Sequence, residues 1–400
     1  MYGNLMVAID NSQYSHLATT MAVDLARRMQ APVTGIHVYA ARLHDSRFRQ
    51  MEPGLPKRYQ REDILQHQRD LHDRLIGRGL GLVSDSYLDL FEKTCRDAGV
   101  AAHRKTPEGR NYVELVKDAA ESRYDLVVLG AHGLGRVDRS LLGSVCERVV
   151  RLVGCDVLVV RDDRLPASGP LLVAMDGSPE SFGALRVAVE LSHIYRCHVE
   201  AVAAYDPHFH RVAFESVAGV LSAEASRLFR FKEQERLHDE IIDEGLAHVY
   251  RSHLLRAREV AASHDVPLEI QVLEGKPFDA ILSYAERLQP SLLLAGRHGM
   301  HHADGVTLGS TVENLLRFAR CNVLITNRRG DDGDGTGFTA EGGKSKPEVR
   351  WSAESQQRLQ RIPPFVRNMA RSRIEDFARK NGHREITPEV YEQARKHFGM

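Results

Sequence analysis

The sequence predicts an α/β protein: two doubly wound parallel-sheet domains in tandem, followed by a small all-α module. Three observations lead there. Motifs recur at one constant offset, short apolar runs alternate with helical stretches inside each copy, and the pattern changes to basic helices after a Gly- and Asp-rich segment.

The repeat comes first. LMVAIDNS at 5–12 matches LLVAMDGS at 171–178, which sets Asp10 on Asp176 at an offset of 166. The same offset carries Leu71, His72 and Asp73 onto Leu237, His238 and Asp239, Glu108 and Gly109 onto Glu274 and Gly275, Gly130 onto Gly296, Glu147 onto Glu313, and Cys155 onto Cys321. One offset across so many anchors means the copies align without a gap. The expected domains are 1–162 and 168–328, joined by a short Leu-Pro-Ala-Ser-Gly-Pro stretch. A flexible linker over 329–348 and a basic helical domain over 349–400 follow.

Within copy one, LMVAI, VTGIHV, the Val100–His103 segment, DLVVL and DVLVV have strand length and are nearly continuously apolar. Such runs suit strands buried on both faces, as in a parallel sheet. Ser15–Met29 and Tyr112–Ser122 have helical spacing, which makes right-handed βαβ units. Ser178-Pro179-Glu180 reads as a helix start, with serine as N-cap and proline at the first helical position. Longer charged helical stretches, about 58–98 and 224–264, are expected to project from the fold or cover its partner.

Hydrophobic residues make up 42% and charged residues 27%, the composition of a globular chain. A formal net charge of +0 gives no whole-molecule field toward nucleic acid or membrane. The five cysteines lack Cys-x-x-Cys spacing, which argues against zinc, an iron–sulfur cluster or a disulfide framework and favours a reducing compartment. The first residues run straight into a strand, leaving no room for a signal peptide, and no apolar run reaches the roughly 18 residues of a membrane span. The expected location is cytoplasmic.

After the fourth strand comes a glycine pattern: Gly130, two residues, Gly133, nine residues, then Gly143 and Ser144. Copy two repeats it with Gly296, Gly299, Gly309 and Ser310. A polyphosphate needs glycine there because it approaches the backbone closely and accepts bonds from N–H groups. Each Gly-Ser lies where a helix begins, so free N–H groups and the positive dipole end favour an anion. The loop also follows the carboxyl end of a strand, where open α/β sheets bind ligands.

This glycine pattern, with the D-x-S-x-x-S openings Asp10, Ser12, Ser15 and Asp176, Ser178, Ser181, resembles the ATP-binding branch of the universal stress protein family over about 1–162 and 168–328. The resemblance implies a Rossmann-like, adenine nucleotide alpha hydrolase-like five-stranded sheet between helices, and pairing of the two domains within the chain or across a homodimer. It implies ATP as cofactor, alone or with Mg2+. Asp10 and Asp176 would contact the nucleoside end, and Val38 would meet adenine through its backbone. Gly130, Gly133, Gly143, Ser144 and Val145 would hold the phosphates. Copy two offers Ala204, Gly296, Gly299, Gly309, Ser310 and Thr311 at the matching positions, departing only at Ala204 and Thr311, which backbone contacts tolerate.

Side chains around the loops differ. His132 and His298 lie inside them; copy one adds Arg136 and Arg139 where copy two has His302 and Gly305. Arginine keeps its charge and histidine is mostly neutral near pH 7, so copy one is expected to grip a triphosphate more tightly. No metal site is expected: His72 and Asp73 adjoin on a helix and do not share a face. The first loops read DNSQYS and DGSPES, without the Ser-Gly-Gly-x-Asp-Ser of pyrophosphatase-type relatives, and HIGH and KMSKS signatures are absent. The expectation is therefore a nucleotide-binding stress or signalling protein with no catalytic residues and at most slow ATP hydrolysis, Asp138 and Asp304 being the acids nearest the loops. The alternative is a nucleotide-independent scaffold acting through the helical inserts and tail.

The tail 349–400 has eleven Arg/Lys against six Asp/Glu, a net of +5. Leu359, Ile362, Phe365, Val366 and Met369, then Ile374, Phe377 and Ala378, recur at helical spacing, and Thr387-Pro388 is a helix start. Arg358-Leu-x-Arg-Ile-Pro363, Phe365-Val-Arg367, Ile374-Glu375 and Ile386-Thr-Pro-Glu-Val390 resemble the C-terminal domain of the light-independent protochlorophyllide reductase B subunit. The large catalytic domains and cysteine ligands of that enzyme are absent, so the resemblance implies a docking module for an unidentified protein partner, not pigment chemistry.

Overall fold

Ten strands line up in one sheet; the inner ones are too apolar to face water and alternate their side chains between two helix-covered faces, while the two edge strands carry polar, partly exposed residues. A computed structural model of the chain describes residues 1–137, 139–206, 243–300, 307–330, 350–360, 374, 377–378, 383 and 385–397, in two units, Met1–Gly335 and Thr336–Met400.

In copy one the order is β1 (Leu5–Ala8), α1 (Gln13–Met29), β2 (Val33–Ile36), α2 (Ala41–Met51), α3 (Glu62–Asp97), β3 (Ala102–Lys105), α4 (Asn111–Ser122), β4 (Leu126–Gly130), α5 (Ser144–Leu152) and β5 (Asp156–Val160). Copy two gives β6 (Leu171–Met175), α6 (Pro179–Tyr195), β7 (Val199–Tyr205), α7 (Asp243–Ala262), β8 (Leu268–Glu274), α8 (Pro277–Leu288), β9 (Leu292–Gly296), α9 (Ser310–Phe318) and β10 (Asn322–Thr326). Helices α1 and α6, α4 and α8, and α5 and α9 start and stop 166 residues apart. Left-handed backbone repeats as well: Asn11 with Gly177, Gln30 with Arg196, Gly99 with Asp265, and Arg123 with Gln289.

The strand order is β3-β2-β1-β4-β5-β10-β9-β6-β7-β8, parallel within each copy. Leu5, Val7, Val128, Leu158 and Val173 pack toward α1, α3, α6 and α7, while Met6, Val127, Leu129, Val157 and Val323 pack toward α4, α5, α8 and α9. Two buried faces explain the unbroken apolar runs.

At the centre the two parallel sheets join edge to edge. β5 and β10 pair antiparallel, with Leu158 opposite Leu324 and Val157 opposite Ile325. Leu158 and Leu324 are themselves equivalent positions, so a pseudo-twofold axis passes between them and the copies pair within the chain. Asp156 closes this seam. Its buried carboxylate accepts from Thr326 Oγ1 (2.9 Å), the Asn327 N–H (2.8 Å), Arg328 Nε (3.0 Å) and Tyr2 OH (2.8 Å). The equivalent Asn322 does the same work from the other side, accepting the Arg161 N–H at 2.8 Å.

The long helix of copy one divides its length. Leu88, Phe91 and Cys95 of α3 are buried in the core, whereas Leu75 and Leu82 are 62% and 68% exposed. The outer half is tied to α2 by a Phe48–His72 ring stack at 4.3 Å and continues to the Arg69–Glu52 ion pair at 2.7 Å. Residues 224–242 of the second long stretch, with His238 and Asp239, lie outside the described residues.

In the C-terminal unit, α10 (Ala353–Gln360) and α11 (Pro388–His397) flank a short parallel ladder, β11 (Arg350–Trp351) on β12 (Glu385–Ile386), which adds a strand pair to the expected helices. Ile374, Ala378, Ile386, Val390, Tyr391 and Ala394 form its core, with Trp351 and Phe377 against them. Thr387 caps α11, its hydroxyl accepting the Val390 N–H at 3.5 Å.

Two outcomes follow from the seam. Asp156→Ala strands two buried hydroxyls, an N–H and a guanidinium, and is expected to cost about 3 kcal/mol in urea unfolding. Asp156→Asn, the residue used at 322, is expected to cost about 1 kcal/mol. A fragment of residues 1–162 exposes the β5 edge and should form a dimer with Leu158 facing its own copy, read by light scattering after size exclusion; a folded monomer would contradict this.

Candidate functional site

Each copy carries a crevice at the carboxyl ends of its strands, where the order reverses between β1 and β4 or between β6 and β9. The cleft of copy one encloses about 730 Å³ and is lined by Asp10, Val38, Gly130, His132, Gly133, Arg136, Gly143, Ser144 and Val145. That of copy two encloses about 430 Å³ and is lined by Asp176, Ala204, Gly296, His298, Gly299, Gly309, Ser310 and Thr311. The residues expected from sequence are thus brought together twice. His302 lies outside the described residues, as do Asp138, Asp304, His301 and Gly305.

The opening D-x-S-x-x-S motif is a clasp. Ser12 Oγ accepts the Ser15 N–H at 3.1 Å and so caps α1; Ser178 does the same for Ser181 and α6. Ser15 Oγ in turn accepts the Asp10 N–H at 3.1 Å. Asp10 spends both carboxylate oxygens on backbone, accepting from Ser12 N–H (3.0 Å) and Leu134 N–H (3.2 Å). Asp176 matches it with Ser178 N–H (3.0 Å) and Met300 N–H (2.8 Å). Each aspartate therefore lines its cleft and also latches the glycine loop to the first strand.

The glycines do different jobs. A Cβ on Gly130 would sit 2.8 Å from the Tyr14 backbone, and one on Gly296 would sit 2.6 Å from that of Glu180, so these two let the first helix pack on the strand. A Cβ on Gly299 would stand 2.5 Å from Asp176 Oδ2, and Gly133 faces Asp10 in the same way, so these two admit the latch. Gly143 N–H donates to the Ala131 carbonyl at 2.7 Å and Gly309 N–H to that of Arg297 at 3.0 Å, closing each loop at the start of α5 or α9. Unlike α1 and α6, these two helices begin without a side-chain cap, leaving first-turn N–H groups facing the cleft.

At the other end of the cleft the backbone edge matters. His37 and Tyr39 donate their N–H groups to Lys105 and Pro107, toward β3. Alternation turns the N–H and carbonyl of Val38 the other way, beyond the end of β1. Ala204 is placed likewise, since Tyr205 engages Gly275 on the β8 side. Sequence reading missed the aromatic cover: Tyr87 from α3 in copy one and Tyr250 from α7 in copy two. Helical spacing in the long charged stretches was the only signal for them.

The rim of the first cleft carries a cation. Arg136 is held at the rim of copy one, Nη1 donating to Tyr14 OH at 2.8 Å. His132 lies under it, buried, 5.2 Å from the Tyr14 ring. Burial, then the neighbouring Arg161 and Arg136 cations, push its imidazolium below the usual histidine range. Away from both clefts, His198, Glu200 and Glu269 converge near the opposite ends of β7 and β8; their copy-one counterparts are Pro32, Thr34 and His103.

Comparison with known proteins agrees with this architecture. The model of the Universal stress protein family matches residues 1–161 and 168–327, and that of the Proto-chlorophyllide reductase 57 kD subunit matches 351–395. A chain assigned to the universal stress proteins in Staphylococcus haemolyticus is 28% identical over 167 residues, covering 41% of this chain and 88% of that one. A counterpart in Staphylococcus aureus is 29% identical over 168 residues, covering 42% and 88%. The crystal structure of a universal stress protein from Archaeoglobus fulgidus covers 81% of this chain and 98% of its own, with a TM-score of 0.51 at 18% identity. No described helix is long and apolar enough to cross a membrane. Matched twice over most of its length, the chain belongs to the universal stress protein family.

Proposed function

We propose that the chain is an ATP-binding stress or signalling protein whose two clefts take adenine nucleotide, and in which occupancy tunes domain arrangement or partner docking through 349–400. The observation that carries the reading is a conjunction present twice: an uncapped helix N-terminus, a glycine loop closed onto it, and an aspartate latch holding that loop in a strand-end crevice. Uncapped N–H groups and the helix dipole suit phosphate. The bare backbone edges at Val38 and Ala204 suit the donor–acceptor rim of adenine. Mg2+ would enter with the phosphates, because both nearby aspartates are already engaged with backbone N–H groups. A nucleotide can shift domain arrangement only by binding two arrangements unequally.

A scaffold acting independently of nucleotide is the second reading, favoured by Leu75 and Leu82 on the outer half of α3. The partner profile of the full chain separates the two: it should change when ATP is added, and an unchanged profile would favour the scaffold.

Denaturing gently purified protein and identifying the released nucleotide by mass spectrometry is the direct test. ATP is expected from the wild type. Gly133→Ala with Gly299→Ala pushes a methyl into both latches and should weaken binding by about a hundredfold or more, roughly 3 kcal/mol per site. No ATP bound or captured by the wild type would end the nucleotide reading.

The clefts also set an acid limit. Burial is the main cause that lowers the proton affinity of His37, His132 and His253 below the ordinary value of 6.5. The unfolded chain therefore takes up protons first as pH falls. Stability should be full above pH 6.5 and decline as pH drops through that value and the lower folded values. Thermal unfolding from pH 8 to 5 checks this, and His132→Phe should flatten the decline.

A further inference from the structure

We infer that Arg297 and Arg161 are positioning residues that couple the two nucleotide sites, each holding the C-terminal end of the helix whose N-terminus serves the other copy's cleft. The inference rests on the nucleotide reading above.

Arg297 belongs by backbone to the loop of copy two. Its N–H donates to the Thr326 carbonyl at 2.9 Å, and its own carbonyl accepts the Gly309 N–H at 3.0 Å. Its side chain, buried, crosses the seam and donates from Nη1 to the Val150 carbonyl at 2.7 Å, in the last turn of α5. Arg161, directly after β5 in copy one, crosses the other way and donates to the Leu316 carbonyl in the last turn of α9. It also lies close enough to His132, inside the first loop, to lower that ring's proton affinity.

Val150 and Leu316 are equivalent positions, but the two arginines are not. Ala131 stands where Arg297 would repeat, and Asn327 where Arg161 would. The same contact is thus made twice from different strands, which duplication alone would not produce. Among the described residues neither guanidinium has a carboxylate partner. Arg161 Nε and Arg297 Nε and Nη2 are buried without a hydrogen-bond partner, so burial costs are met mainly by helix-end carbonyls and the negative dipole end.

Helices α5 and α9 are also bound to each other. Glu147 pairs with Arg317 (3.0 Å) and Glu313 with Arg151 (2.8 Å) across the seam, while Arg151–Glu147 (3.4 Å) and Arg317–Glu313 (2.8 Å) close the ring within each helix. A phosphate drawing the N-terminus of α5 moves a nine-residue rigid rod. Its far end carries Val150, and with it the side chain of a residue whose backbone shapes the second loop.

The test uses the full chain with ATP. Occupancy of site one is read by hydrogen-exchange protection of 144–152, and that of site two by protection of 310–318. Closing site two with Gly299→Val is expected to shift the site-one midpoint about fivefold or more. Arg297→Met, filling site two at higher ATP, should abolish the shift, and Arg297→Lys should restore part of it. Arg161→Met is the second variant, expected to abolish the reciprocal effect of Gly133→Val on site two. Site-one midpoints unaffected by Gly299→Val, or shifts that survive both methionine variants, would overturn the coupling while leaving the nucleotide reading intact. Absence of ATP binding at both sites would overturn both.

Discussion

The antiparallel pairing of β5 with β10 sets the geometry on which the rest of the structure depends. A five-stranded parallel sheet of this order ends at β5 with a row of unpaired backbone groups, an edge as apolar as its interior. Pairing that edge with its own repeat satisfies the groups and continues both cores across the seam. It also brings α5 beside α9, which is why Glu147 and Glu313, spaced by the repeat, meet Arg317 and Arg151 instead of solvent. Such ion pairs are partly exposed and each is worth little; their effect lies in fixing how the two helices sit.

The clefts inherit their shape from the same sheet. Ending β1 at Ala8 while the chain after β2 runs on beside Lys105 and Pro107 leaves the Val38 edge bare, and reversing the order beside β1 opens room for a loop between Ala131 and Gly143. That loop carries exposed Leu134, Val137 and Leu141 and would have little reason to hold one conformation. Asp10 supplies it. By accepting from both Ser12 and Leu134, one carboxylate ties the helix start to the loop, and the missing Cβ at Gly133 leaves room for it.

Much of this was legible beforehand. The gapless offset is a property of the sequence, and three pairs of equivalent helices do begin and end 166 residues apart. The glycine spacing pointed to the loops, because only close backbone approach demands glycine so regularly. What each glycine accommodates was not legible: Gly130 clears the backbone of Tyr14, a residue remote in sequence. The latch role of Asp10 was hidden for the same reason, since its loop partner lies 124 residues away. Arg161 and Arg297 gave no sequence signal because they break the repeat, and a search for recurrence passes over what differs.

Those differences make physical sense only in a tandem chain. In a homodimer every residue at the axis is present twice, so a guanidinium crossing the seam from one loop must cross from the other as well. An arginine at both equivalents, 131 and 161, would put four buried cations around two helix ends that offer only carbonyls. Joining the copies in one chain lets each strand pair contribute a single arginine, from β5 in copy one and from β9 in copy two, and leaves Ala131 and Asn327 neutral. Asp156 against Asn322 follows the same logic, with one carboxylate facing Arg328 and an amide facing backbone N–H groups. Duplication thus keeps the twofold packing of the strands while relieving the charge that strict symmetry would impose, and the two clefts are free to diverge, Arg136 and Tyr87 in one and Tyr250 and His253 near the other.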